Sequence, residues 1–201
     1  MADSSLKKRA LQIAQRQGLA RTRDFDAAGI PRVYLQRLRD EGQLVQTGRG
    51  LYQLPDTGFS AAHSLAEAAR ILPRGVVCLL SALQYHGLTT QTPYEVWMIL
   101  ASKDWAPKNP PVSIKVVRAS GEALAAGIER HAIERVPVPI TVPAKTVADC
   151  FKYRNKIGLD VAIEALKDCL RLRRATADEL WRYAAICRVQ NVIRPYIEMA
   201  L

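Results

Sequence analysis

The chain has 201 residues, of which 49% are hydrophobic, so it is long enough to bury one large core or two small ones. Lys and Arg number 29 against 19 Asp and Glu, a formal net charge of +10, which favours a polyanionic partner and nucleic acid in particular. No apolar run approaches the roughly 20 residues of a membrane span, and no signal peptide is evident, so we expect a cytoplasmic protein that does not contact a membrane.

Residues 1–54 predict three short helices. Apolar residues at helical spacing indicate a first helix that ends at Gly18. Thr22 is the expected N-cap of a second helix, and Gly29 then supplies a tight turn. Pro31 suits the first turn of a third helix because its missing N–H would have no partner there, and we expect this helix to reach Glu41.

A β-hairpin is expected next, because two apolar stretches flank Thr47-Gly48-Arg49-Gly50. The order helix, helix, turn, helix, hairpin is typical of a winged helix-turn-helix. Leu54-Pro55-Asp56-Thr57-Gly58 is rich in turn residues and marks a domain boundary. We therefore predict a winged helix-turn-helix DNA-binding domain over residues 1–55 and a second domain over residues 60–201.

The second domain mixes helices and strands. The pattern predicts helices over 60–72 and 76–86 and strands over 94–100, 112–118 and 131–136. The remainder is helical, with Pro143 opening one helix, a capping box from Thr176 to Glu179 opening another, and a last helix over Val192–Leu201. The predicted fold class is α+β: an N-terminal winged helix-turn-helix followed by a mixed α/β domain that ends in a helical bundle.

The third helix has the two faces that a DNA-reading helix needs. The apolar face is predicted to hold Pro31, Leu35 and Leu38, and the opposite face Val33, Gln36, Arg37 and Asp40. In a major groove, arginine can pair with guanine and glutamine with adenine, and valine can contact a thymine methyl group. These three residues are therefore the predicted base-reading set.

Five further arginines are predicted to contact the DNA backbone or a minor groove. Arg32 and Arg39 flank the reading face and suit phosphates, which hold position without specifying sequence. Arg49 lies at the hairpin tip, where it can enter a minor groove or touch the backbone. Arg21 and Arg23 are expected to precede the second helix, where side chains and free N–H groups can meet a phosphate. For any one of these arginines, an ordinary solvated face is the alternative.

The sequence contains no motif for a catalytic or metal site, so we predict a protein that is not an enzyme and that uses no cofactor or metal. Two alternatives stay open. One is a nuclease or nucleotide-acting domain, which would require Glu95, Lys115 and Asp149 to converge. The other is a protein-binding adaptor. Four widely spaced cysteines predict buried, reduced thiols: Cys78, Cys150, Cys169 and Cys187.

Three stretches together resemble the AbiEi family, the antitoxins of type IV toxin–antitoxin (abortive infection) systems. They are Gly42–Pro55 at the hairpin, Leu79–Leu88 with its Ser-Ala-Leu…His-Gly-Leu pattern, and Ile140–Cys150 at the entry to the C-terminal helices. The resemblance implies a repressor that binds inverted repeats in the promoter of its own operon. It further implies a C-terminal domain that antagonises a nucleotidyltransferase-like toxin without forming a stable complex, or alternatively a stand-alone regulator without an antitoxin role.

Overall fold

The structure is a computed structural model that describes residues 2–55, 62–108 and 110–200, with only the backbone of residues 2–4. The chain divides into two compact units. The first lies within residues 1–73, 109–112 and 131–138, and the second within residues 74–108, 113–130 and 139–201. The architecture is mixed α+β, as the sequence predicted.

The first unit begins with three helices and a small antiparallel sheet. Its elements are α1 (Ala2–Gln17), β1 (Ala20–Arg21), α2 (Thr22–Ala27), α3 (Arg32–Asp40), β2 (Val45–Gly48), β3 (Leu51–Gln53) and α4 (His63–Ile71). The strand order is β1-β3-β2. A two-residue turn, Arg49-Gly50, joins β2 to β3, so the predicted hairpin is confirmed. Apolar residues of all three leading helices form the core, among them Ala10, Phe25, Leu35 and Leu38.

Two details of these helices differ from the prediction. Thr22 is the first residue of α2 rather than its cap, because the carboxylate of Asp24 accepts the Arg21 N–H at 2.8 Å and so supplies the cap from inside the helix. Pro31 is exposed and extended, with ψ 141°, so α3 begins one residue later than we expected. Strand β1 was not predicted, because two residues give no periodicity.

The remaining elements include a mostly buried mixed sheet. They are β4 (Val76–Val77), α5 (Leu79–His86), β5 (Val96–Ala101), β6 (Ile114–Ala119), α6 (Glu122–Ala125), β7 (Ile128–Ile133), β8 (Val136–Thr141), α7 (Pro143–Lys152), α8 (Arg154–Ile157), α9 (Leu159–Arg171), α10 (Ala177–Cys187) and α11 (Gln190–Ala200). The strand order is β6-β5-β4-β8-β7. Strand β5 is parallel to β6 and antiparallel to β4, and β4 is parallel to β8.

Two predictions for this region were wrong in part. The apolar segment 76–86 is not one helix: β4 occupies the centre of the sheet, and α5 starts after it. A short apolar run fits a buried strand as well as a buried helix, so periodicity alone does not separate them. The segment 131–136 is not one strand: it contains the last three residues of β7, a two-residue turn at Glu134 and Arg135, and the first residue of β8. Glu134 and Arg135 adopt φ of 50° and 64° there without the glycine or asparagine that usually marks such a turn.

The predicted helix over 60–72 is observed as α4, from His63, and its expected start and the boundary residues 56–58 lie outside the described residues. The C-terminal helices agree well with prediction. Pro143 occupies the first turn of α7, which packs against α5, α9 and α10. The capping box at Thr176 and Glu179 is confirmed, with the Thr176 N–H donating to Glu179 Oε2 at 2.8 Å and the Glu179 N–H to Thr176 Oγ1 at 3.2 Å. Within the described ranges, no helix combines the length and apolar character that crossing a membrane requires.

Candidate nucleic-acid interface

Helix α3 is seated by its apolar face and presents its polar face to solvent. Leu35 and Leu38 are 1% and 0% exposed, whereas Gln36 and Arg37 are exposed. Val33 is 49% exposed, which is high for a large aliphatic side chain. The three residues predicted to read bases therefore share one accessible face of the helix.

Arg37 is oriented by an aromatic neighbour on the same helix. Its guanidinium carbon lies 5.5 Å from the ring centroid of the half-buried Tyr34. A cation over an aromatic face is attracted by the ring quadrupole and loses part of its rotamer freedom. Because this contact already restricts the Arg37 side chain, Arg37 would lose less conformational entropy on binding a base edge.

A chain of hydrogen bonds links α3 to the hairpin. Arg39 Nη1 donates to Gln46 Oε1 at 3.2 Å, and Gln46 Nε2 donates to the Gly48 carbonyl at 3.1 Å. Arg39 also donates to Asp40 at 3.3 Å. Sequence reasoning missed Gln46, because a polar residue in a short strand gives no sign of its partner across the turn.

Arg32 and Arg49 differ in how they are held. Arg32 Nη2 forms an ion pair with Asp26 Oδ2 at 3.0 Å, so part of its charge is compensated. Arg49 is exposed at the hairpin tip beside Gly50, whose φ is +73°. The Thr22 N–H donates to the Gly50 carbonyl at 2.9 Å and so holds the tip against α2.

Arg21 and Arg23 belong to a cationic cluster that also contains Arg70 of α4. Burial, together with the charges of Arg23 and Arg70, lowers the pKa of Arg21 to about 10. Arg70 Nη2 donates to the Gln17 carbonyl at 2.9 Å, which satisfies the end of α1. Within the part of the chain that the structure describes, Arg21 Nε and Arg70 Nε are buried without a hydrogen-bond partner.

This cluster changes the expected role of the start of α2. The N–H groups of Arg21 and Thr22 already donate to Asp24 and to Gly50. A phosphate here would therefore meet arginine side chains rather than these two N–H groups. Sequence reasoning missed Arg70, because it lies beyond the stretch assigned to the winged helix.

Of the three residues proposed for a nuclease centre, Glu95 and Lys115 pair with each other, whereas Asp149 has other partners. Asp149 is buried, with its Oδ2 2.5 Å from Lys145 Nζ and its Oδ1 accepting from Cys187 Sγ at 3.3 Å. Glu95 pairs with Lys115 at 3.6 Å between Oε2 and Nζ. Over residues 2–55, 62–108 and 110–200, no group of three or more His, Cys, Asp or Glu could hold a metal ion.

The four cysteines are free and buried, as the sequence predicted. Burial raises the pKa of each thiol: that of Cys169 to about 11 and that of Cys187 to about 12, with those of Cys78 and Cys150 also well above the ordinary value. These thiols therefore stay protonated and unreactive at neutral pH.

Residues 8–55 match a protein family described as "Transcriptional regulator, AbiEi antitoxin". The predicted resemblance to AbiEi regulators is confirmed over this segment. It includes α2, α3 and the β2–β3 hairpin, the elements that carry the exposed cationic face. No curated protein matches this chain in sequence.

The fold is similar to the crystal structure of the RV2827C protein from Mycobacterium tuberculosis. The TM-score is 0.61 at 15% identity, over 96% of this chain and 77% of that one. At this low sequence identity, the similarity shows a shared fold alone.

Proposed function

We propose that this protein is a cytoplasmic transcriptional repressor that binds double-stranded DNA at inverted repeats in the promoter of its own operon. The observation that carries the proposal is α3, with two buried leucines seating it and Val33, Gln36 and Arg37 exposed on the opposite face. An α-helix of this kind fits a major groove. The family match over residues 8–55 supports the same assignment.

Each polar residue of the predicted interface has a role in this proposal. Arg37 and Gln36 read base edges, while Arg32 and Arg39 contact phosphates beside them. From the hairpin tip, Arg49 enters the adjacent minor groove or contacts the DNA backbone beside it. Arg21 and Arg23 contact a phosphate, with Arg70 adding to the local positive charge.

We further propose that two parts of the chain have different functions. Residues 1–55 bind DNA, and residues 60–201 carry an antitoxin activity of type IV, which opposes a nucleotidyltransferase-like toxin without a stable complex. No catalytic step is assigned to either part. The buried pairing of Asp149 with Lys145 supports a structural role for Asp149, one of the three residues that a nuclease centre would have needed.

The test is a gel-shift titration of the promoter region with the double variant Arg37→Ala/Arg49→Ala. Each lost specific contact weakens binding by roughly 1–3 kcal/mol, so we expect operator affinity to fall by about 30-fold or more. Affinity of the unsubstituted protein should also fall steeply with salt, because phosphate contacts release counterions.

The matched control removes the same charge from the turn that follows α9, where Arg173 and Arg174 are exposed. Arg173→Ala/Arg174→Ala should leave operator affinity within about threefold of the parent protein. It lowers the overall positive charge but removes no proposed DNA contact. Equal affinity of the Arg37/Arg49 variant and the parent protein would refute the assignment of these two residues.

A further inference from the structure

A basic cleft lies at one edge of the large sheet. Strands β5 and β6 are parallel, with Ala101 paired to Ala119, so their carboxyl ends meet at this edge. Ser102 and Ser120 follow directly, and the cleft between these loops and the end of α10 has a volume of about 740 Å³. Ligands of open α/β sheets bind at the carboxyl ends of parallel strands, in pockets of this size.

The charge of the cleft is strongly one-sided. Among the described residues that line it, one is acidic, Glu122, and four are basic: Arg118, Lys152, Arg154 and Arg188. Like charges gathered in one concave surface repel each other in the empty protein. A bound anion would relieve that repulsion.

Two of the arginines are fixed before any ligand arrives. Arg118 Nη1 donates to the carbonyls of Ala101 and Asp104 at 2.7 and 2.6 Å, which commits both of its hydrogens and leaves Nε and Nη2 with three further N–H groups. Arg154 Nη1 donates to the Phe151 carbonyl at 2.9 Å. Such anchoring reduces the entropy lost on binding.

Arg188 occupies a backbone position that seldom carries a long side chain. It caps the C-terminus of α10 with φ 59° and ψ 42°, a left-handed conformation in which glycine or asparagine is usual. The chain thus places a charged residue at the rim of the cleft where backbone preference favours a small one.

We propose that this cleft binds a phosphorylated small molecule. Guanidinium groups match phosphate oxygens in pairs, and Lys152 adds a point charge. Ala123, Ile186 and Val189 give the same cleft an apolar wall that suits the unphosphorylated part of such a molecule. This inference goes beyond the proposed repressor function and does not depend on it.

The experiment is calorimetric titration of the full-length protein with inorganic phosphate, pyrophosphate and each of the four ribonucleoside triphosphates at constant ionic strength. We expect at least one of them to bind with a Kd below about 1 mM. Arg188→Asn and Lys152→Met should each weaken that binding by about tenfold or more, because each removes a charge-assisted contact. Asparagine tolerates the left-handed backbone, so Arg188→Asn should keep the parent fold.

The matched control is Arg173→Asn, which removes an exposed arginine with φ 52° that does not line the cleft. It should leave ligand affinity within about twofold, since only the overall charge has changed. Tighter binding of nucleotides than of pyrophosphate would show that the cleft also recognises the base. Equal binding would show that it recognises the phosphates alone.

Two results would overturn the proposal. One is the absence of binding by every probe at about 1 mM, where a Kd in the expected range gives measurable occupancy. The other is equal weakening by Arg173→Asn and Arg188→Asn, which would make the effect one of net charge. Loss of operator affinity in Arg188→Asn, with no small ligand bound, would assign the cleft to a DNA backbone instead.

Discussion

Gly18 ends α1 with φ of +68°, and a Cβ built on it would lie 1.8 Å from the carbonyl oxygen of Glu134. Gly42, just after α3, has nearly the same φ of +69° but nothing within 4 Å of its Cβ position. The two glycines share a backbone conformation and differ only in their surroundings. They therefore separate the effect of backbone strain from that of close packing.

We predict that Gly18→Ala destabilises the protein far more than Gly42→Ala. The left-handed backbone alone costs about 1–2 kcal/mol for alanine, and this applies at both positions. At Gly18, the clash with Glu134 adds to it, for a total of about 3–5 kcal/mol. Urea unfolding of both variants measures the difference, and similar values would show that the Glu134 turn moves aside freely.

The sequence predicted the helix stop at Gly18 but not the contact that makes glycine necessary there. The stop follows from local backbone preference, which one residue carries by itself. The contact brings Glu134 from a turn far along the chain, and no pattern around Gly18 records it. Arg70 beside Arg21 was missed for the same reason.

Among the helices that the structure describes, α7 has the largest share of buried residues, and it holds an ion pair within the core. Lys145 and Asp149 are one turn apart, and each side chain is 1% exposed. Burial raises the pKa of Asp149, while Lys145 and the thiol of Cys187 act in the opposite direction. A pair of this kind contributes little net stability, but removing one partner leaves a buried charge uncompensated.

Lys145→Met should therefore lower the free energy of unfolding by about 3–5 kcal/mol at neutral pH. Without the lysine, the folded-state pKa of Asp149 rises further above its unfolded value. The folded protein then binds a proton more readily than the unfolded chain, so the deficit should shrink as the pH falls through that raised pKa.

Urea unfolding at about pH 8 and about pH 5.5 measures this difference. Lys167→Met, on the exposed face of α9, is the control and should change stability by no more than about 0.5 kcal/mol at either pH. A deficit for Lys145→Met that stays constant or grows on acidification would contradict a charged Asp149 as its cause.

At the scale of elements, strong periodicity was the reliable guide. The two faces of α3 follow from leucines at helical spacing, and the exposed set agreed residue by residue. Strand β4 and the β7–β8 turn were not predicted, since a two-residue strand has no period and the turn uses Glu134 and Arg135 in place of glycine. The basic cleft was also beyond prediction, because its cations come from β6, α7, α8 and the end of α10.

At the scale of the whole molecule, the positive charge is divided between the two ends of the sequence. Residues 1–54 carry ten Lys and Arg against five acidic residues, and residues 151–201 carry ten against six. The first group includes the exposed face of α3 and the hairpin tip, and the second includes three of the four cations of the cleft. This division supports two separable activities in one chain.

The final prediction concerns that separation. In the full-length protein, Arg37→Ala/Arg49→Ala should abolish repression of a reporter fused to the operon's promoter, because both substituted residues belong to the proposed DNA-reading set. The same variant should still protect growth when a nucleotidyltransferase-like toxin from the same operon is induced. Both proteins are expressed from unrelated promoters, so that loss of autoregulation does not alter their amounts. Arg173→Ala/Arg174→Ala, the charge-matched control, should retain both activities. If the Arg37/Arg49 variant is present at parental levels yet no longer protects, antitoxin activity requires DNA binding, and the proposed assignment to residues 60–201 fails.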